Sequence, residues 1–264
     1  MLFCLNNYIL NSIMNEIEIL TARFKDLAKK SYAANVFTFT NFLSEGDLSV
    51  FFSLEREFSL TGFKIFGGYE GAERVAIRFG NENDFGYETD FPISCLMIEP
   101  LIEKFGENLS HRDYLGALMN LGIERDLLGD ILIKDKTAYV FCLDHIKDFI
   151  CEKLTKVRHT NVKITVLDTL PESIKPSLIE KELVVPSERL DVIIAKLYNL
   201  SRSQSLNLFK AKKIFVNARQ CESGSYACKS GDTISARGFG KFIYKGTVRT
   251  TAKGKVRVNV EIYN

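Results

Sequence analysis

The sequence predicts an α+β protein built from several small domains, and three observations carry that prediction. Its 264 residues suffice for two or three modest cores. Helical apolar spacing in the first sixty or so residues gives way near Gly62 to short runs of β-formers interspersed with helices. Charge is unevenly spread: residues 1–182 hold 20 Lys+Arg against 28 Asp+Glu and residues 183–264 hold 15 against 5, so the net +2 divides into −8 and +10. These shifts imply a mainly helical domain over 1–62, a central α/β domain over 63–168, a linker over 169–186 and a basic domain over 187–264.

In the first domain Ile17, Leu20, Phe24, Leu27 and Ala28 recur at helical spacing with charges between them, which predicts an amphipathic helix over 16–32. The stretch from Met1 to Met14 is mildly apolar, but no Lys or Arg precedes its hydrophobic part, which argues against a secretory signal. Met14 is weighed as an alternative start, since helical patterning becomes convincing from there. Residues 35–42 form a loop or a short helix, and Ser44-Glu45-Gly46-Asp47 is a turn leading into another. No apolar run reaches the ~18 residues that a bilayer span needs.

In the central domain Phe63–Phe66, Arg74–Phe79 and Pro92–Leu101 read as strands. Ser110 caps a helix through Tyr114, Leu115, Leu118 and Met119 that stops at Gly122. Ile131–Ile133 and Ala138–Leu143 flank Asp135-Lys136 as a hairpin. Asp144 then caps a helix carrying Ile146, Phe149, Ile150 and Leu154, and Val162–Leu167 is a last alternating strand. The outline is a small α/β sandwich with helices on one face of a mostly antiparallel sheet. Several RNA-recognition folds share it, although fold alone does not give function. Pro171, Pro176 and Pro186 make the following linker semi-rigid.

The basic domain supports a more mechanical reading. Ser187 caps a helix whose apolar face is Leu190, Ile193, Ile194 and Leu197, and Ser201 with Gln204 is a capping box that starts a second helix. Arg202 falls in that helix's first turn, where the dipole disfavours a cation. The alternatives are a solvated surface arginine, or a guanidinium that shares a phosphate with the free amides of the turn. Lys210, Lys212 and Lys213 lead into the strand Ile214–Val216, followed by a turn at Asn217-Ala218. Gly238 and Gly240 flank Phe239 between Arg237 and Lys241 and let backbone approach a ligand closely. The alternation from Lys255 to Tyr263 is a terminal strand with Lys255 and Arg257 on its wet face. A domain this basic is expected to hold a polyanion.

Other chemistries find little support. The six cysteines (4, 95, 142, 151, 221, 228) form no Cys-x-x-Cys pair, and the three histidines (111, 145, 159) lie far from any cysteine pair, so no metal is expected. Cys221 and Cys228 alone are spaced for disulfide or metal use, against a default of free thiols in a reducing, cytoplasmic compartment. Gly67, Gly68 and Gly71 permit a tight turn, but no Lys-Ser/Thr follows, so this is not a nucleotide P-loop. A structural turn held by an Arg–carboxylate pair is an equal reading. His111-Arg112-Asp113 lacks the Asn that a kinase catalytic loop needs five residues beyond its Asp, where Leu118 stands. Asp113 either pairs with Arg112 or Arg125 and orients one toward RNA, or makes a core salt bridge. No cofactor, membrane or small-molecule substrate is expected.

Arg189-Leu190-Asp191, Ser201-Arg202-Ser203-Gln204, Ile214-Phe215-Val216-Asn217, Gly231-Asp232 and Arg237-Gly238-Phe239-Gly240 together resemble, in order, the S-four RNA-binding domain over residues 183–245. Lys212 and Ala218 stand where that family commonly has glycine. Phe66-Gly67-Gly68-Tyr69-Glu70-Gly71-Ala72-Glu73-Arg74, Leu109–Leu118, Leu121–Arg125 and Gly129-Asp130-Ile131 resemble the YlmH-type bacterial RNA-binding proteins, a likeness running from about Met14 to the end. The resemblance implies a cytoplasmic factor with an N-terminal domain, a central RNA-binding domain and an S-four domain of two helices on a small sheet. It also implies a link to the large ribosomal subunit and to rescue of stalled translation, with ribosomal RNA and peptidyl-tRNA as partners and genes near those for cell division.

The expected function is therefore a non-catalytic factor that docks on structured RNA through phosphate and 2′-hydroxyl contacts. The side chains expected to meet RNA are Arg189, Ser201, Arg202, Ser203, Gln204, Lys210, Lys212, Lys213, Asn217, Arg237 and Lys241, with central-domain contacts from Arg74, His111, Arg112 and Arg125. Two alternatives stand beside it. One is a pseudouridine-synthase-like RNA-modifying enzyme, since Arg189-Leu190-Asp191 mimics that active-site motif; yet only 73 residues follow Asp191, and a carboxylate suits a helix's first turn. The other is a cell-division scaffold.

Overall fold

The computed structural model describes residues 2–250 and 254–263, and side chains from Met14 onward, so Met1 and the Cys4 side chain lie outside the described residues. The chain divides into two compact units, Met1–Asp47 with Leu54–Lys175, and Leu48–Ser53 with Pro176–Asn264. It is an α+β protein, and its sheets are antiparallel throughout.

The first unit opens with α1 (Leu2–Ala34), which starts well before the expected helix. No Gly or Pro interrupts residues 2–13; without charges the stretch simply lacks an amphipathic pattern to read. Asn35, at φ 52°, ends the helix. The next residues, read as loop or short helix, contain β1 (Thr38–Phe39) instead, because Thr and Phe in alternation favour the pleat. The turn at Ser44 is a cap for α2 (Glu45–Ser53), whose residues from Leu48 onward belong to the second unit: the Asp47 carboxylate accepts from the Ser44 N–H and Oγ–H at 2.8 and 2.7 Å. β2 (Phe63–Phe66), β3 (Ala76–Phe79) and the short α3 (Glu82–Phe85) follow, with β3 between β1 and β2 in a three-stranded sheet.

The rest of this unit is a five-stranded sheet ordered β5-β6-β4-β8-β7. It comprises β4 (Ile93–Pro100), α4 (His111–Asn120), β5 (Leu128–Lys134), β6 (Thr137–Leu143), α5 (Asp144–Lys153), β7 (Lys156–Val157) and β8 (Thr160–Leu167). Asp144 is the first residue of α5 and Leu143 its N-cap, a correction of one position. The Asp144 carboxylate accepts from Ser94 Oγ at 2.5 Å instead. Tyr114 and Leu118 of α4 and Ile150 of α5 share one core with Leu96, Ile98, Ala138, Val140 and Cys142. The alternate residues Cys95, Tyr139, Phe141 and Leu143 pack on the other face with Phe42, Tyr69 and Leu170. Both faces are covered, which is why Ala138–Leu143 is a continuous apolar run.

The second unit holds β9 (Leu178–Val185), α6 (Leu190–Leu197), α7 (Arg202–Lys210), β10 (Ile214–Val216), β11 (Arg219–Gln220), β12 (Thr233–Ala236), β13 (Gly240–Thr250) and β14 (Val256–Tyr263). They form a six-stranded sheet ordered β11-β10-β12-β13-β14-β9. Residues expected as linker thus include a strand that pairs with β14 along its whole length. Pro176 and Pro186 stand outside the strand and permit it, while its Glu and Lys side chains suit a sheet edge. α6 starts at Leu190, with Arg189 at the N-cap rather than Ser187. The Tyr226 and Gly224 carbonyls accept the Leu190 and Asp191 N–H groups at 3.0 Å each, which removes the need for a capping hydroxyl. Both helices bury Leu190, Ile193, Ile194, Leu197, Leu208 and Phe209 against Ile214, Val216, Ile234, Phe242, Val258 and Val260.

Candidate nucleic-acid interface

Two acids of the C-terminal unit, Asp191 and Asp232, are buried and bonded inside the fold that carries its basic side chains. Asp191 has no exposed surface. Its carboxylate accepts from Arg189 Nε and Nη2, each at 2.9 Å, and its carbonyl accepts from Ser205 Oγ at 2.7 Å. That node joins α6 to α7. The same ion pair holds Arg189 above its ordinary pKa through the Asp191 hydrogen bonds and charge. Arg189, expected to meet RNA, is thereby engaged within the fold, and Asp191 faces no solvent from which a substrate would come.

Asp232 is a second node. It accepts from Asn217 Nδ2 at 2.8 Å, Tyr226 Oη at 2.9 Å and the Lys229 N–H at 2.8 Å. Asn217 Oδ1 in turn accepts from the Thr233 N–H at 2.9 Å, so the Asn217 amide is occupied at both ends and holds its turn. Burial first, and Asp232 second, push the Tyr226 phenol up to about 12. Ser201 and Gln204 also work locally: Ser201 Oγ accepts from the Gln204 N–H at 3.2 Å and Gln204 Oε1 from the Ser201 N–H at 2.8 Å. Ser201 and Ser203 hydroxyls are 3.0 Å apart.

The remaining candidates are cations, all exposed except the half-buried Lys241. Arg202 lies in the first turn of α7 and Lys210 in its last, about 12 Å apart along the helix axis at 1.5 Å per residue. Lys212 pairs with Glu222 at 3.6 Å, both well exposed. The Arg237 N–H donates to the Lys213 carbonyl at 2.9 Å, and Lys241 on β13 lies opposite Ser235 of β12. Lys213, Arg237 and Lys241 therefore gather at one end of the sheet. Arg237 also lies over the Phe215 ring at 4.7 Å. Among the described residues Arg202, Lys210 and Lys213 have no acidic partner within salt-bridge reach.

Two of the long motifs of the first unit, Phe66–Arg74 and Gly129-Asp130-Ile131, converge on the Asp130 carboxylate. Its carboxylate accepts from Tyr69 Oη at 2.7 Å, the Glu73 N–H at 2.7 Å and the Arg74 N–H at 3.0 Å. Gly68, at φ 101°, approaches Phe141 so closely that a Cβ would stand 2.3 Å from the ring. Arg74 donates to the Leu128 and Phe42 carbonyls at 3.0 Å each, and Arg125 to the Leu128 and Gly129 carbonyls at 2.6 and 3.1 Å. Burial, then repulsion from Arg74, holds Arg125 down to about 10. Both arginines, expected as RNA contacts, are spent on backbone carbonyls. Burial and then the Arg125 charge lower His111 below its usual value.

Asp113 pairs with neither Arg112 nor Arg125. It accepts from the Ser110 N–H and Oγ–H at 2.8 and 2.7 Å as part of the α4 cap, and lies 3.4 Å from Arg158. Arg112 is left exposed, beside Lys153, Lys156 and Arg158, three cations that sequence reasoning did not select. The cysteines at 95, 142, 151, 221 and 228 are free thiols. No helix among the described residues is long and apolar enough to cross a membrane.

Comparison with known proteins agrees with the motifs. A family model described as "Putative RNA-binding domain in YlmH" matches residues 87–170, the segment that carries the five-stranded sheet, α4 and α5. The "Ribosome-associated protein quality control protein P2" of Bacillus subtilis (strain 168) is 31% identical over 201 residues, covering 76% of this chain and 77% of that protein. A solved structure, the "Cell division protein ylmH from Streptococcus pneumoniae", aligns with a TM-score of 0.49 at 17% identity over 58% of this chain and 91% of that one. With a relative this similar over three quarters of both chains, the protein belongs to the YlmH family.

Proposed function

We propose that this protein is a non-catalytic RNA-binding factor that docks on structured ribosomal RNA or tRNA at the large ribosomal subunit and serves the rescue of stalled translation. The observation that carries the reading is the division of labour in the C-terminal unit, read as an S-four domain. Of its five acids from residue 183 onward, Asp191 and Asp232 are buried and bonded within the fold, while Arg202, Lys210 and Lys213 stand exposed without acidic partners among the described residues. Such a surface attracts phosphate by counterion release, so affinity should fall ~10³–10⁵-fold between 50 and 200 mM salt if six to ten phosphates are met. The name of the Bacillus relative supports the ribosomal setting. The buried, clasped Asp191 supports binding over pseudouridine chemistry, because a nucleophile must reach its substrate.

Charge reversal tests this. Arg202→Glu places an anion at a helix N-terminus, where it suits the dipole, so the fold should be kept or slightly stabilised. Arg202→Glu combined with Lys213→Glu should weaken binding to ribosomal RNA and tRNA by ten-fold or more with an unchanged melting midpoint. Wild-type affinity in this double variant would defeat the assignment, and pseudouridine formation that depended on Asp191 would replace it with an enzyme.

A further inference from the structure

We infer that the first unit carries a second RNA-backbone site, separate from the C-terminal cations: a groove between α4 and the β7–β8 turn, lined by Arg112, Lys153, Lys156 and Arg158. The inference rests on the RNA-binding reading above and adds a contact surface to it. The groove encloses about 530 Å³. Its floor is the α4 face made by Gly116, Ala117 and Asn120, while the opposite face of the helix buries Tyr114 and Leu118 in the core. A Cβ built on Gly116 would meet nothing within 4 Å, so the floor is open.

Two of the four cations break a local rule, and both breaches fall in this groove. Arg112 sits in the first turn of α4, where the dipole disfavours positive charge. Arg158 occupies a turn at φ 51°, a conformation natural to Gly or Asn and strained for arginine. The return is small: Arg158 gains one largely exposed ion pair with Asp113 at 3.4 Å, and residues that defy local preference for so little are the places to look for function. Lys153 has an ordinary reading as well, since it ends α5 and pairs with Glu152 at 2.7 Å. The one acid in the groove, Asp113, is committed to the α4 cap and to Arg158. Among the described residues Arg112 and Lys156 have no acidic partner. A trough whose floor is left open by Gly116 and Ala117, between exposed cations, fits a sugar–phosphate backbone, whose charges repeat along a line.

The test uses the full chain, unfractionated tRNA and an RNA duplex of about 16 base pairs, a length that a shape-reading domain spans. Arg112→Gln, Lys156→Gln and Arg158→Gln together should lower affinity about ten-fold and reduce the slope of log K against log salt by roughly 0.7–0.9 for each lost contact. Gly116→Leu changes no charge and favours the helix, so it should keep the melting midpoint while obstructing the groove and weakening both RNAs. Arg158→Gly should raise the midpoint while lowering affinity, an opposition that a purely structural arginine would not produce. Wild-type binding by the triple variant, with the Arg202→Glu/Lys213→Glu variant impaired, would overturn the groove and leave the C-terminal site standing. The reverse result would remove the C-terminal site and keep the groove, and wild-type binding by both would remove both. Polyglutamate that competes with RNA at equal strength, and is equally sensitive to the triple variant, would overturn the assignment to RNA.

Discussion

Replacing Ala218 by glycine isolates one physical quantity, the cost of a Cβ in left-handed backbone. Asn217 and Ala218 form the two-residue connection between β10 and β11, with Val216 opposite Arg219, and their φ values are 50° and 60°. Positive φ at both central residues is the type I′ pattern, for which Asn-Gly is the favoured pair. An L-residue pays about 1–2 kcal/mol in this region. Glycine relieves that strain but loses about 0.5–1 kcal/mol through the greater freedom of its unfolded chain. The net expectation for Ala218→Gly is a gain of about 0.5–1 kcal/mol, or roughly 2–8 °C in the melting midpoint of a unit this size. Thermal and urea unfolding followed by circular dichroism would measure it, with an unchanged m-value. A midpoint at or below wild type would refute the reasoning. Lys212, at φ 56°, is a second case with a built-in contrast. Its contact with Glu222 is well exposed and contributes little, so Lys212→Gly should also stabilise the unit. It removes an exposed cation, so RNA affinity should move the opposite way.

Two further outcomes concern the first unit. Asp130→Ala leaves Tyr69 Oη and the Glu73 and Arg74 N–H groups without their acceptor, and should cost about 3 kcal/mol or more in urea unfolding; a loss below about 1 kcal/mol would mean the node is dispensable. His111 should make the unit acid-sensitive. Its folded pKa is lowered, so the unfolded state binds the proton more readily, and the stability it contributes is present above the unfolded value of ~6.5 and lost as pH falls toward the folded one. His111→Gln should flatten the change in urea midpoint between pH 8 and pH 5, and an unaltered slope would show that His111 does not report this linkage.

Much of the fold was legible because its signals are local. The Ser201/Gln204 cap and the strands flanking Asp135 follow from spacing that a single segment contains. β9 escaped notice because an edge strand rich in Glu and Lys, set between Pro176 and Pro186, has the composition of a linker; only its pairing with β14 distinguishes the two. The site was harder to read for a different reason. Sequence reveals that an arginine exists but not which way it turns, and Arg74 and Arg125 turn toward carbonyls of their own fold. The longest and most distinctive motifs, around Gly67–Arg74 and Gly129–Asp130, meet at one buried carboxylate and one aromatic ring. Such motifs are long because backbone amides, glycine conformations and a close ring contact must be satisfied together. Phosphate recognition imposes no such joint constraint, since a cation can reach an extended polyanion from many positions. On the proposed reading its trace in sequence is a charge imbalance or a cation misplaced in a helix's first turn, as at Arg202 and Arg112, rather than a motif.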